Sequence, residues 1–76
     1  MITVKLFGLL RVESGIKQRQ MEAATVKEVL QQLQDAGISG KDLRGSVIFV
    51  NGEPASKRKK LTDGDQVVLM PPVAGG

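Results

Sequence analysis

The chain has 76 residues, which is enough for one small domain and too few for a second hydrophobic core. It contains no cysteine and no histidine, so disulfides, thiolate nucleophiles, zinc thiolate sites and imidazole-mediated proton transfer are excluded. Tyrosine and tryptophan are also absent, and the formal net charge is +3. With so few catalytic side chains, the protein is predicted to enter a reaction as a substrate or carrier and not to be catalytic alone.

The sequence gives no sign of a membrane segment or a secretory leader. No apolar run approaches the roughly 18 residues that a membrane span requires. Met1 is followed directly by a strand pattern, without the charged and apolar regions of a signal peptide. We therefore expect a cytoplasmic protein with no membrane partner.

The positive charge is concentrated in the run Lys57-Arg58-Lys59-Lys60. Aromatic side chains that could stack on bases are not interleaved with it, since the only aromatics are Phe7 and Phe49. The run is typical of a solvated turn, and docking onto an acidic partner is the alternative. Nucleic acid is therefore not the expected partner of this run.

The first 21 residues are predicted to form a β-hairpin. Residues 2–6 alternate with period two, with Ile2, Val4 and Leu6 facing the core. Continued alternation predicts that Phe7 and Leu9 lie on the outer face. Residues 13–15 indicate a turn, and residues 16–21 can return antiparallel as an edge strand.

The next element is a helix that begins with a capping box. Thr25 is its predicted N-cap, Glu28 reaches back to it, and Gly37 ends the helix. Residues 38–45 are predicted to be a polar connection. The apolar positions of the helix fall on one face: Val26, Val29, Leu30, Leu33 and Ala36.

The second half of the chain reads as strands joined by tight turns. Residues 46–50 are predicted to be a strand with most of its surface covered, followed by an Asn51-Gly52 turn and a short edge strand at 53–56. A second turn at 61–65 leads into the last strand, residues 66–70.

One helix cannot cover both faces of a sheet, so one sheet face should remain open to solvent or a partner. Val67 and Leu69 are assigned to the core, which leaves Val68 and Met70 outward. If the first and last strands are parallel neighbours, Phe7, Leu9, Val68 and Met70 form an apolar patch suited to docking. The alternatives are that a loop covers these residues or that they are isolated surface apolars. The predicted fold is an α+β domain over residues 1–70, with a mixed sheet of four to five strands on one main helix.

Residues 71–76 are predicted to be a flexible Gly-Gly tail, in which the two prolines at the start favour a stiff, extended exit from the domain. Pro71 and Pro72 cannot extend a sheet ladder, and Gly75 and Gly76 can thread a narrow slot. Six residues reach at most about 20 Å. The tail could deliver its α-carboxylate to another protein, or it could be a frayed terminus.

The chain resembles the MoaD/ThiS family of ubiquitin-like sulfur carriers, and within it the MoaD branch, the small subunit of molybdopterin synthase. The resemblance implies a β-grasp fold. Of the matching motifs, the terminal Pro-Pro-Val-Ala-Gly-Gly is the most specific. The matching residues are Phe7, Arg11, Gly15, Thr25-Val26, Val50-Asn51-Gly52-Glu53, Leu61-Thr62-Asp63-Gly64-Asp65-Gln66-Val67 and Pro71-Pro72-Val73-Ala74-Gly75-Gly76.

The resemblance also implies a chemistry. An adenylating enzyme of the ubiquitin-activating type would use ATP to adenylate Gly76, and a sulfur donor system would convert it to a thiocarboxylate. Through a tail of Pro71, Pro72, Val73, Ala74 and Gly75, the sulfur would reach a pterin precursor in the large subunit of molybdopterin synthase. Phe7 and Met70 match the family's docking positions. No cofactor or metal would be bound to the chain itself.

Three alternatives remain at the sequence level. The carrier could serve another pathway, such as thiamine synthesis, cysteine synthesis or tRNA thiolation. It could be a protein modifier joined through isopeptide bonds at Gly76. It could also be a binding or RNA-associated β-grasp module whose terminal Gly-Gly is incidental.

Overall fold

Five strands and three helices account for most of residues 1–71, the part of the chain that the computed structural model describes. The elements are β1 (Ile2–Leu6), α1 (Gly8–Ser14), β2 (Gln18–Met21), α2 (Val26–Asp35), α3 (Gly40–Arg44), β3 (Val47–Val50), β4 (Glu53–Pro54) and β5 (Gln66–Met70). The strands form one mixed sheet in the order β2-β1-β5-β3-β4. Among these residues, no helix is long and apolar enough to cross a membrane.

The sheet is built around β5, which has a partner on each side. β1 pairs with β5 in parallel, and β3 pairs with β5 antiparallel. β2 pairs antiparallel with β1 and forms an edge, as predicted for residues 16–21. The first and last strands are thus parallel neighbours, which is the condition set for an apolar patch on the outer face, and the predicted α+β architecture is confirmed.

The core lies between α2 and one face of the sheet. Inward positions of β1 and β5 and the apolar stripe of α2 belong to one buried cluster. The largest fully buried side chains in it are Leu6, Leu33, Leu69, Val4, Val26, Val29 and Val67. Burial of this apolar stripe against the sheet stabilises α2, because an isolated ten-residue helix is marginal in water.

The capping box of α2 is confirmed. Thr25 Oγ1 accepts a hydrogen bond from the Glu28 backbone N–H at 3.3 Å, and the Thr25 hydroxyl donates to Glu28 Oε2 at 3.3 Å. The predicted inward position of Ala36 is wrong, because the helix ends at Asp35 and Ala36 is an exposed C-cap.

The predicted continuation of strand alternation beyond Leu6 is wrong. Helix α1 begins at Gly8, so Leu9 projects from a helix and not from an outer strand face. Leu10 is the buried residue of α1, four positions after buried Leu6. Gly15 then ends α1 in the left-handed conformation, with φ 72°.

Two further expectations for the middle of the chain are wrong. Residues 38–45 are not merely a polar connection, because α3 lies within them and buries Leu43, and Ile38 is also buried. Strand β3 is less covered than predicted. Only Val50 is buried, and Val47 is exposed, because β3 has its outer face open to solvent.

The two predicted turns at 51–52 and 61–65 are confirmed, and side chains join them. Asn51 Nδ2 donates to Asp65 Oδ1 at 3.0 Å, and Asn51 Oδ1 accepts from the Gln66 N–H at 2.9 Å. Asp65 Oδ2 accepts from the Thr62 backbone N–H at 2.9 Å. This last bond, followed by the bond from Asn51, lowers the pKa of Asp65 below its usual range.

Asp65→Asn is expected to destabilise the protein at pH 7 and to matter progressively less as the pH falls below about 4. The folded-state pKa of Asp65 is depressed, so its stabilising contribution is present above the unfolded pKa and is lost as pH falls through the folded pKa. Thermal unfolding of both proteins from pH 7 to pH 2.5 checks this. A stability difference that stays constant over that range would contradict the role of the carboxylate.

Candidate docking face and tail exit

The outer face of the sheet carries an apolar surface across three neighbouring strands. The register places Val68 of β5 between Lys5 of β1 and Phe49 of β3. One row further on, Met70 lies opposite Val47. Because paired residues point to the same side of a sheet, both rows share the face opposite the core.

Phe7 extends this surface from the end of β1. Its backbone N–H donates to the Leu69 carbonyl at 3.1 Å, and this hydrogen bond holds the residue after β1 against the end of β5. Phe7 is 40% exposed, and Val47 and Met70 are each 39% exposed. We name this candidate binding surface the docking face, and it consists of Phe7, Val47, Phe49, Val68 and Met70.

The sequence placed three of these five residues on the outer face and missed Val47 and Phe49. Residues 46–50 are apolar at nearly every position, so alternation alone does not reveal which side chains face outward. The pairing register with β5 decides it. The Asn51-Gly52 turn marks the end of β3 in the sequence, but it does not reveal which side chains face outward until the strand that pairs with β3 is known.

Leu9 does not join the docking face but lies near the tail. It is 56% exposed on α1 and lines a groove of about 400 Å³ between α1 and α3, together with Leu10 and Pro71. Asp42 also lines this groove. The Asp42 side chain raises the pKa of Glu13 above its usual range, mainly because the hydrogen bond between the two carboxyl groups requires that one of them be protonated.

Basic side chains border the docking face beside Phe7. Lys5, Arg11 and Lys17 line a small crevice there with Phe7. A partner that covers Phe7 would therefore meet positive charge at this rim, where charge complementarity affects the association rate and specificity more than the affinity.

The basic run 57–60 lies elsewhere, against the N-terminus of α2. The carbonyls of Lys59 and Lys57 accept from the backbone N–H groups of Val26 and Lys27, each at 3.0 Å. The four basic side chains are exposed. Because these first-turn N–H groups are already used, the helix terminus does not offer them to an anion.

The described chain ends at Pro71, which follows Met70 directly and is half-buried. The remaining predicted tail residues lie outside the described residues: Pro72, Val73, Ala74, Gly75 and Gly76. The point from which they depart is nonetheless defined. It lies at the C-terminal end of β5, beside Met70 of the docking face and the groove lined by Leu9.

Comparison with known proteins identifies the family of this chain. The profile of the ThiS family matches residues 4–76. The chain belongs to the ThiS family. Its members are ubiquitin-like sulfur carriers that are non-catalytic by themselves, which confirms the resemblance drawn from the sequence. A comparison with curated proteins gives no significant match.

Solved structures confirm the β-grasp fold of this ThiS-family chain. SAMP1 from Haloferax volcanii is 27% identical, with a TM-score of 0.80 and coverage of 99% of this chain and 98% of that one. A complex of subunits 1 and 2 of molybdopterin-converting factor from Helicobacter pylori is 28% identical, with a TM-score of 0.75 and coverage of 99% of this chain and 97% of that one. The BexX/CysO complex from Amycolatopsis orientalis is 28% identical, with a TM-score of 0.76 and coverage of 100% of both chains. Two of these relatives are thus seen with partner proteins.

Met70→Asp is expected to weaken partner binding at least tenfold while changing stability by less than about 1 kcal/mol. The substitution places a charge in the docking face at a side chain that is already partly solvated. The dissociation constant for a partner protein that co-purifies with the parent chain, together with the urea unfolding curve of the variant, checks both effects. Gln66→Asp is the matched control, because Gln66 is exposed on the same face at the other end of β5. Equal dissociation constants for the two variants would contradict the location of the docking face.

Proposed function

We propose that this ThiS-family protein is the small subunit of molybdopterin synthase, and that its Gly76 carries sulfur as a thiocarboxylate to the pterin precursor of the molybdenum or tungsten cofactor. The observation that carries the proposal is the open docking face, which lies beside the residue from which the tail departs. Similarity to the complexed molybdopterin-converting factor of Helicobacter pylori and the Pro-Pro start of the tail support the choice of this pathway.

The chemistry required of this chain is small. A carboxylate is a poor electrophile, so the Gly76 carboxylate first attacks the α-phosphorus of ATP and releases pyrophosphate. A hydrosulfide-level donor then attacks the carbonyl carbon, AMP leaves with the carboxylate oxygen, and a thiocarboxylate remains. The adenylating enzyme and the large subunit supply the catalytic side chains. The chain supplies the carboxylate and the surface that orients it.

Intact mass spectrometry tests the carrier function. The purified protein is incubated with the adenylating enzyme from the same cell, ATP and a sulfur source. Its mass is expected to rise by about 16 Da, because one oxygen of the terminal carboxylate is replaced by sulfur. An unchanged mass with every adenylating enzyme of that cell would overturn the proposal.

Transfer to an acceptor tests the pathway. The thiocarboxylated protein is mixed with the pterin precursor and the large subunit, and in parallel with the acceptors of thiamine, cysteine and tRNA thiolation. Loss of about 16 Da from the carrier is expected only in the pterin reaction. Transfer in another reaction alone would retain the carrier function and reassign the pathway.

A protein modifier is the second candidate, favoured by the similarity to SAMP1, a small archaeal modifier protein. In that function the adenylated Gly76 would acylate a lysine amine, forming an isopeptide bond with loss of AMP. Conjugation predicts higher-mass adducts in cells that vanish when Gly76 is deleted. Adducts of this kind without any thiocarboxylate would favour the modifier over the carrier.

A further inference from the structure

The root of the tail is held by a contact between Pro71 and Gly8. An ideal Cβ built on Gly8 would lie 2.6 Å from Pro71 Cγ and 3.0 Å from Pro71 Cδ. The first distance is shorter than real Cβ atoms show, so any side chain at position 8 must displace the proline ring. Gly8 also has φ +60°, a conformation that L side chains rarely adopt.

Within residues 1–71, hydrogen bonds to neighbouring strands fix the chain as far as Met70. Phe7 N–H donates to the Leu69 carbonyl, and Met70 pairs with Val47 on the other side of β5. Pro71 has no backbone N–H with which to continue either ladder. The close approach of Gly8 therefore limits where the ring of Pro71 can lie on the β1 side.

We propose that Gly8 is a positioning residue that sets the direction in which the tail leaves the docking face. The proposal rests on the proposed delivery of Gly76. Gly8 directly follows Phe7, so the same short segment contributes a docking side chain and the seat of the tail. Five residues beyond Pro71 span at most about 17 Å, so a displaced root shifts the end that must reach the active site.

This role makes a kinetic prediction that general destabilisation does not make. Binding of the domain depends on the docking face, and Gly8→Ala replaces none of its five residues. Presentation of the tail carboxylate depends on the direction of the tail, and a misplacement of 1 Å can reduce a rate up to about 100-fold. With the cognate adenylating enzyme, Gly8→Ala is expected to lower kcat about tenfold or more and to change KM less than about twofold.

Gly15→Ala is the matched control. Gly15 is also left-handed, with φ +72°, and it terminates the helix that Gly8 begins, but its added Cβ would meet nothing within 4 Å. Both variants carry a strained alanine, and only one displaces Pro71. Gly15→Ala is therefore expected to keep kcat and KM within about twofold of the parent despite a loss of stability.

A rescue variant tests the contact directly. Pro71→Ala removes the Cγ and Cδ atoms that an alanine at position 8 would strike. The double variant Gly8→Ala/Pro71→Ala is expected to have at least threefold higher kcat than Gly8→Ala, because the coupled sites are not additive. If Gly8→Ala fails to fold, Pro71→Ala alone should lower kcat at unchanged KM, since it removes the same contact from the other side.

Several outcomes would overturn the proposal. These are equal kcat values for Gly8→Ala and Gly15→Ala, strict additivity in the double variant, or an unchanged kcat in Pro71→Ala. Each leaves the proposed function standing, because the parent protein is still adenylated. Failure of the parent protein to be adenylated would instead overturn the proposed function, and this role with it.

Discussion

Leu69→Ala is expected to leave the domain largely unfolded at 37 °C. Leu69 is fully buried on the central strand β5, paired with Leu6 on one side and Ile48 on the other. Truncation of a buried leucine to alanine costs about 2–5 kcal/mol, because transfer energy is lost and a cavity remains. A single core in a domain of this size rarely supplies more than about 3–5 kcal/mol, so the two quantities are comparable.

Urea unfolding followed by circular dichroism measures this loss. Val68→Ala is the matched control, because Val68 is the preceding residue of the same strand and is half-buried on the opposite face. Its truncation is expected to cost about 1 kcal/mol. A loss at Val68 equal to that at Leu69 would contradict the assignment of the two faces, and with it the position of the docking face.

Local signals in the sequence were sufficient for the features that depend on neighbouring residues. The start of α2 follows from the three-residue spacing of Thr25 and Glu28, which lets the Thr25 side chain accept a hydrogen bond from a backbone N–H of the first turn. The turns at 51–52 and 61–65 follow from dipeptides that favour particular backbone angles. The bond between Asn51 and Asp65, in contrast, joins two turns 14 residues apart, and no local pattern indicates it.

Helix α1 was missed because its first residues fit two periods. Phe7 and Leu9 continue the alternation of β1, yet Leu6 and Leu10 already have the spacing of a helical face. The backbone of Gly8 ends the strand, and burial of Leu10 favours the helix. Helix α3 is five residues long, too short for periodicity to reveal it, although Ser39 is a recognisable N-cap.

The candidate site depended on both kinds of information. Alternation within single strands predicted the outward positions of Val68 and Met70. The addition of Val47 and Phe49 required the register between β3 and β5, which is a tertiary property. The contact between Gly8 and Pro71 joins residues far apart in sequence, and it exists only because β1 and β5 are parallel neighbours.

Gly76→Ala is expected to leave folding unchanged and to reduce adenylation about 100-fold, the scale of loss that follows when a reacting group is misplaced. A methyl group on the last residue adds a Cβ where the proposed threading requires a slot too narrow for one. The docking face is untouched, so the domain should still bind its partner and compete with the parent protein for the adenylating enzyme. Pyrophosphate release, intact mass and a competition assay measure these three properties.

Gly15→Ala again serves as the control, and here it separates activity from stability. That variant should lose stability and keep adenylation, whereas Gly76→Ala should keep stability and lose adenylation. Normal turnover of Gly76→Ala would refute the threading argument, even if the protein proved to be a carrier. Loss of competition together with turnover would instead place part of the binding energy in the terminal residue and not in the docking face.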